Sequence, residues 1–132
     1  MIQRYILSQF SNKLSKLNLN YETYNKKIKE YSISLTLQDI DNKCLRPAKF
    51  LKFCELLGIT PRKLYDKYYS YVFSNYGNNI IQFRQSHNLT QKQFAKIVNI
   101  SPVDIGFFEK GLTYPTRDQC KKLKEVLQKY AI

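Results

Sequence analysis

The chain has 132 residues and a formal net charge of +12, because 22 Lys and Arg residues outnumber 10 Asp and Glu residues. Its hydrophobic fraction of 43% is sufficient for compact cores and excludes a disordered chain. The excess of positive charge indicates a polyanionic partner such as nucleic acid, unless it reflects only a lysine-rich background.

The first helix that we predict with a clear apolar face follows Pro47. Its apolar residues recur at helical spacing and comprise Phe50, Phe53, Cys54 and Leu57. Gly58 then supplies a helix stop, and Thr60-Pro61 begins a further helix. These signals predict a helical domain over residues 1–75.

A tyrosine-rich helix is predicted between Leu64 and Phe73. Three roles are open for its aromatic face: packing across two domains, a dimer contact, and stacking against bases. The cluster of Ser, Asn and Gly at residues 74–79 predicts the join between the first domain and a second domain over residues 76–132.

The second domain contains start and stop signals for two short helices. Thr90-x-x-Gln93 is a capping box at the start of the first helix, and Ser101-Pro102 begins the second. Gly111 supplies a left-handed stop after the second helix. Two short helices joined by a tight turn form a helix-turn-helix unit.

Two spaced motifs lie in this unit. They are LTQ-x-x-FA at residues 89–95 and I-x-x-FE-x-G-x-x-x-P at residues 105–115. Together they resemble the Cro and lambda-type repressor (XRE) family of helix-turn-helix DNA-binding domains, and the resemblance covers roughly residues 78 to 130. The resemblance implies an all-α, lambda-repressor-like fold that binds double-stranded DNA. It also implies a salt bridge between Arg84 and Glu109, and a left-handed turn at Asn99, where the family usually has glycine.

The first half contains a weaker version of the same pattern. Residues 19–24 align with residues 89–94, and residues 37–47 align with residues 105–115. We interpret this likeness as a degenerate helix-turn-helix copy, so that two units stand in tandem. An unrelated helical bundle is the alternative, and both interpretations are all-α.

The resemblance also implies which residues face DNA. In this family the third helix enters the major groove, and the start of the second helix contacts phosphate. The implied base-facing positions are Ser101, Pro102, Val103, Asp104, Gly106 and Phe107. Gln91 matches the family position that contacts phosphate, and we predict further backbone contacts from Lys92, Lys110, Thr113 and Arg117. The corresponding residues of the degenerate copy are Ser34, Thr36, Gln38, Lys43 and Arg46, of which Gln38 suits adenine.

The base-facing residues of the second domain lack the Arg, Lys, Asn or Gln side chains that read guanine and adenine. Val103 and Phe107 suit thymine methyl groups, and Asp104 suits a cytosine amine. An outward Phe107 beside Phe108 equally indicates a protein contact, because exposed apolar groups often mark such surfaces. Base reading and protein binding are both open at this point.

We therefore predict a DNA-binding transcriptional regulator of phage or mobile-element type, a repressor by its resemblance. It would bind double-stranded DNA through tandem units or as a homodimer. The alternative is a protein-binding inhibitor or adaptor built on a repurposed helix-turn-helix scaffold. A phage anti-defence or anti-CRISPR protein that holds its partner through Val103 and Phe107 is an example of that class.

Catalytic, metal and cofactor signals are missing from the sequence. The lone histidine, His87, falls at the end of a predicted helix, without a phosphate-binding glycine loop or a nucleophile motif. Cys44, Cys54 and Cys120 are widely spaced and are interpreted as reduced apolar residues. A run of about eighteen apolar residues and a secretory signal pattern are also missing. We expect a cytoplasmic protein that is not an enzyme and uses neither a cofactor nor a metal.

Overall fold

The computed structural model describes residues 1–129, which are helical apart from turns and one two-stranded hairpin. The predicted all-α fold class is confirmed. The chain forms two compact units, the first spanning Met1–Asp66 and the second beginning at Lys67. Residues 130–132, the end of the predicted second domain, lie outside the described residues.

The first unit is built on helices that pack through aromatic rings. Its elements are, in order, α1 (Ile2–Ser15), α2 (Tyr21–Ile33), a 3-10 turn (Leu37–Asp39), β1 (Ile40–Asp41), β2 (Cys44–Leu45), α3 (Pro47–Leu57) and a second 3-10 turn (Pro61–Leu64). The ring centroid of Phe10 in α1 lies 5.7 Å from that of Phe50 and 4.9 Å from that of Phe53 in α3. Burial of these three rings holds the two helices together.

Helix α3 agrees with its sequence prediction. Pro47 occupies the first turn, where its missing N–H costs nothing, and Phe50, Phe53 and Cys54 are buried. Gly58 ends the helix with a left-handed φ of 66°. Burial raises the pKa of the Cys54 thiol to about 11, so this cysteine is a protonated, apolar part of the core at neutral pH.

The predicted degenerate copy differs from the structure in its second half. Thr36 and Asp39 form a capping box, but it closes only one 3-10 turn. The strands β1 and β2 then pair antiparallel around Asn42 and Lys43, whose φ values of 49° and 65° are those of a two-residue hairpin turn. The hairpin buries Leu45, whose N–H donates to Gln9 Oε1 of α1 at 3.0 Å. The degenerate helix-turn-helix copy predicted here therefore has a 3-10 turn and a hairpin in place of its second helix, and the tandem arrangement is not confirmed.

The second unit contains five helices in its described part. They are α4 (Lys67–Val72), α5 (Tyr76–Ser86), α6 (Gln91–Val98), α7 (Pro102–Lys110) and α8 (Arg117–Lys129). Each of the last four contributes to one core, whose fully buried members include Ile80, Phe94, Ile105 and Leu123. The 3.6-residue spacing of the apolar residues on α6 and α7 produces this inward face.

The tyrosine-rich segment is divided between the units, with Tyr65 in the first and the residues from Lys67 onwards in the second. The chain divides between Asp66 and Lys67, whereas the sequence prediction placed the join at residues 74–79. The reason is that the rings of Tyr68 and Tyr69 pack against Arg117 of α8, with the guanidinium carbon 4.4 Å and 5.0 Å from their centroids. Both tyrosines are buried, so neither offers a face for base stacking.

We expect Gly77→Ala to lower the free energy of unfolding by about 1–3 kcal/mol, as over-packed cores do. A Cβ at position 77 would overlap the carbonyl oxygen of Phe108 and lie 3.2 Å from that of Glu109, so α5 and α7 would have to separate. Urea unfolding of the full chain measures the loss. Asn78→Ala, on the exposed side of the same helix, is the matched control and should stay within about 0.5 kcal/mol of the parent. Equal stability of the two variants would contradict this close approach.

Candidate nucleic-acid interface

Helix α6 begins at the capping box that the sequence predicts. The Gln93 N–H donates to Thr90 Oγ1 at 3.1 Å, and the Thr90 N–H donates to Gln93 Oε1 at 2.9 Å. Phe94, Ala95 and Val98 are buried on one face of the helix. The capping box satisfies two donors that the first turn leaves without intrahelical acceptors, and it fixes where α6 starts.

The turn between α6 and α7 is compact because Asn99 adopts left-handed geometry. Asn99 has φ 58° and ψ 49°, and its carbonyl accepts a hydrogen bond from Lys122 Nζ at 3.0 Å. Ile100 is buried directly after it, and its N–H donates to Ala95 O at 3.0 Å. The predicted left-handed turn is confirmed, since Asn tolerates this region better than other residues with a Cβ.

Helix α7 has the start and stop that the sequence predicts. Ser101 Oγ accepts from the Asp104 N–H at 3.1 Å, and Pro102 occupies the first turn. Gly111 ends the helix at φ 70°. Ile105 and Phe108 are the buried residues of this nine-residue helix. Its opposite side is consequently available to a ligand.

The predicted pair of Arg84 and Glu109 forms a two-pronged salt bridge between α5 and α7. Arg84 Nε donates to Glu109 Oε2 at 3.1 Å, and Arg84 Nη2 donates to Oε1 at 3.0 Å. Arg84 Nη1 also donates to the carbonyl of Leu89 at 3.1 Å, just before α6. The side chains are 19% and 5% exposed, so solvent screens this pair little. One arginine thus connects α5, the start of α6 and the last turn of α7.

Residues 80–131 match the protein-family model described as helix-turn-helix. The second half carries an XRE-type helix-turn-helix domain. Members of this family are DNA-binding regulators and are typically not enzymes. No curated protein and no solved structure matches the chain. The family match begins within α5, so α4 lies outside it.

The base-facing positions implied for the helix-turn-helix domain divide into exposed and engaged residues. Ser101, Pro102, Val103 and Phe107 are exposed along the start and outer side of α7. Gly106 and Asp104 are half-buried, and Asp104 Oδ2 accepts a hydrogen bond from Gln119 Nε2 of α8 at 3.1 Å. Asp104 is therefore partly engaged in holding α7 to α8.

The implied phosphate contacts share the exposed side of the domain, with one exception. Gln91, Lys92, Lys110 and Thr113 are exposed. The amide nitrogen of Gln91 donates to Glu109 Oε1 at 3.1 Å, so Gln91 also belongs to the Arg84–Glu109 network. Arg117 instead stacks on Tyr68 and Tyr69, with its Nε and Nη2 atoms buried. Arg117 is thus half-buried where the other four residues are exposed, so it presents less of its guanidinium to phosphate than they present of their side chains.

The residues implied for the degenerate copy are exposed but do not share a helix. Ser34 ends α2, and Thr36 and Gln38 lie at the 3-10 turn that follows. Lys43 is at the hairpin tip, and Arg46 Nε donates to the carbonyl of Gln38 at 2.8 Å. A groove-reading helix cannot be built from this segment, because only one 3-10 turn separates α2 from the hairpin.

Sequence reasoning missed the aromatic support of the loop that follows α7. Tyr68 Oη donates to the carbonyl of Pro115 at 2.6 Å, and Tyr76 Oη donates to the carbonyl of Thr113. Burial, with a smaller contribution from Tyr114, raises the pKa of Tyr76 and keeps its hydroxyl a donor. These bonds hold Thr113 beside the end of α7. No local pattern indicates them, because each tyrosine is distant in sequence from its acceptor.

A second missed feature is the capping box at the start of α8. The Gln119 N–H donates to Thr116 Oγ1 at 3.1 Å, and the Thr116 N–H donates to Gln119 Oε1 at 2.9 Å. The signal was available, because Thr116-x-x-Gln119 repeats the Thr90-x-x-Gln93 pattern. The same Gln119 side chain then reaches Asp104, which links the start of α8 to the start of α7.

Among residues 1–129, no group of three or more His, Cys, Asp or Glu side chains is placed to hold a metal ion. None of the helices in the described part of the chain is sufficiently long and apolar to cross a membrane.

We expect substitutions of Asn99 to follow the left-handed geometry of the turn. Asn99→Gly should keep or raise stability by up to about 1 kcal/mol, whereas Asn99→Val should lower it by about 1–2 kcal/mol, because a β-branched side chain opposes positive φ. The Lys122 bond to the main chain is available to both variants. Thermal unfolding of the two variants measures the difference. Equal melting temperatures would contradict a left-handed residue at this position.

Proposed function

We propose that this chain is a transcriptional regulator that binds double-stranded DNA by placing α7 in the major groove. The observation that carries the proposal is the capped α6–turn–α7 unit, locked by Arg84 and Glu109, within the segment that matches the helix-turn-helix family. The outer side of α7 is exposed, and the major groove, about 12 Å wide, admits an α-helix.

Electrostatics supports a duplex partner for this unit. From Lys67 onwards the sequence has ten Lys and Arg residues against four Asp and Glu residues, in a chain of net charge +12. Lys92 lies in the first turn of α6 and Lys110 in the last turn of α7, and both are exposed. Gln91 and Thr113 add neutral hydrogen-bonding groups nearby. These residues position the domain on phosphates, while α7 meets the base edges.

The finer parts of the proposal concern assembly and biological setting. The described residues contain one helix-turn-helix unit, so a palindromic operator would need two copies of the chain, and we propose a homodimer on DNA. Following the likeness to Cro and lambda-type repressors, the chain would act as a repressor of phage or mobile-element type. This role places it in the cytoplasm, where the buried Cys54 and Cys120 stay reduced.

The test is fluorescence anisotropy of the full chain on a labelled duplex pool with a randomised core, titrated across salt. We expect an apparent affinity that falls steeply with salt, and an enriched, symmetric motif when the bound fraction is sequenced. Failure to bind any duplex at low salt would overturn the proposal, because a chain of this charge with a functional groove-binding helix must at least bind DNA non-specifically.

A protein-binding inhibitor or adaptor is the second candidate, and one observation favours it. Val103, Phe107, Leu112 and Tyr114 are large apolar side chains that are at least 40% exposed on or after α7. Large apolar side chains that are exposed in this number on one short segment favour a protein contact. If this candidate is correct, the duplex titration shows no binding, and the exposed face of α7 serves a protein partner instead.

A further inference from the structure

The exposed side of α7 has an apolar centre. Val103 is 64% exposed and Phe107 is 40% exposed. They stand one helical turn apart on the same side, and the exposed Lys110 continues that side towards the end of the helix. Helix α7 thus presents to a partner an apolar pair, Val103 and Phe107, beside the positive charge of Lys110.

The polar residues at the start of α7 are engaged within the domain. Ser101 Oγ accepts from the Asp104 N–H, and Asp104 Oδ2 accepts from Gln119 Nε2. These bonds fix the orientation of Asp104 towards α8. A base amine that took either of these two acceptors would compete with a contact that holds the helix start in place. Apolar contact is therefore the chemistry that this helix offers most freely.

Gly106 provides an independent observation that points to a close-approaching ligand. It lies in the interior of α7, where glycine disfavours a helix relative to alanine. The backbone there is ordinary helix, and a Cβ added at position 106 would meet only Gln91 Oε1 at 3.8 Å, a normal contact distance. Neither packing nor φ requires glycine here. Its effect is to lower the helix surface on the Gln91 side of α7, beside the exposed Val103 and Phe107.

We propose that Val103 and Phe107 contact the 5-methyl groups of thymines in the major groove, with Gly106 allowing the base edges to approach, so that the domain selects T-rich sites. The thymine methyl is the apolar group that a base pair presents in the major groove. This inference rests on the proposed function and specifies what α7 reads.

Charge complementarity favours DNA as the occupant of this apolar face. Lys92 and Lys110 are exposed on the same two helices, and the whole chain carries +12. Phosphates flanking a groove satisfy that charge while the methyl groups cover the apolar pair. A second copy docked on this same face would instead bring its Lys92 and Lys110 close to those of the first copy, and like charges repel.

The experiment replaces thymine with uracil, which lacks only the methyl group. Two duplex pools with the same randomised core are prepared, one with thymidine and one with deoxyuridine, and the full chain is titrated against each. After selection, single sites are compared in the same way. We expect affinity to fall about fourfold for each contacted methyl that is removed. Replacing cytosine with 5-methylcytosine at neighbouring positions controls for methyl-dependent changes in the duplex itself.

The matched variants assign the effect to residues. The double variant Val103→Ala with Phe107→Ala should bind both pools with equal affinity. Val103→Ala alone, at the more exposed position, should keep only part of the uracil penalty, the loss of affinity when uracil replaces thymine. Gly106→Ala should raise the melting temperature by roughly 4 °C yet weaken duplex binding. Opposite signs for stability and affinity distinguish close approach of a ligand from a role in packing.

The outcomes separate the inference from the function on which it rests. Salt-dependent binding with equal affinity for the two pools would overturn thymine reading and leave DNA binding intact. An undiminished uracil penalty in the double variant would show that other residues read the methyl groups. Absence of binding to either pool would remove the proposed function as well. Sedimentation that shows self-association, lost in Val103→Ala, would make the face a homodimer contact and overturn the inference.

Discussion

Replacing Arg84 with alanine should lower the free energy of unfolding by about 3–5 kcal/mol, the range found when one partner of a buried ion pair is removed. The substitution leaves the Glu109 carboxylate, only 5% exposed, with the single hydrogen bond from Gln91. It also removes the bond from Arg84 to the carbonyl of Leu89. Thermal and urea unfolding of the full chain measure this loss.

Three further variants test the origin of the Arg84 effect. Arg4→Ala, at an exposed position of α1, should change stability by no more than about 0.5 kcal/mol. Arg84→Lys keeps the positive charge but cannot donate to both carboxylate oxygens as the guanidinium does, so its loss of free energy of unfolding should be intermediate. Arg84→Met combined with Glu109→Leu should recover much of the stability, because the unpaired carboxylate is then gone. An unchanged melting temperature in Arg84→Ala would show that the pair does not stabilise the domain.

Removing two exposed lysines should weaken DNA binding at every sequence alike. In Lys92→Ala with Lys110→Ala, each substitution deletes a proposed phosphate contact. The negative slope of log affinity against log salt should therefore become shallower by about two units. At about 0.1 M salt this corresponds to a loss on the order of tenfold to a hundredfold in affinity. Fluorescence anisotropy across a salt series gives both quantities, and the sequence preference should not change.

The matched control removes the same charge from the first unit. Lys26 and Lys27 are exposed on α2, and Lys26→Ala with Lys27→Ala lowers the net charge by the same amount. Its salt slope should stay close to that of the parent. An equal reduction in both double variants would mean that binding depends on total charge alone, which contradicts docking through α6 and α7.

The helix limits of the helix-turn-helix domain were predictable because their causes are local. The Thr90 capping box, the Ser101 cap and the Gly111 stop each involve groups a few residues apart, and all were found where the sequence indicates them. The Arg84–Glu109 pair is not local. It was predicted only through the family resemblance, and the structure confirms it.

The failures share a non-local origin. The aligned segment at residues 37–47 has the spacing of a short helix, but a hairpin forms because Leu45 is buried and bonded to Gln9 of a different element. Arg117 has the charge of a phosphate contact, but Tyr68 and Tyr69 of α4 cover its guanidinium. In both cases the pattern alone does not specify which distant element the residue meets.

The sequence by itself determined the helical class, the ends of α3, α6 and α7, and the basic character of the chain, because propensity, capping and net charge depend on a residue and its close neighbours. Only the tertiary structure decided which of the candidate residues face solvent. It stacked Arg117 on Tyr68 and Tyr69, engaged Asp104 with Gln119, and left Val103 and Phe107 exposed. These outcomes depend on contacts between α7, α8 and α4, which form only when distant parts of the chain pack together.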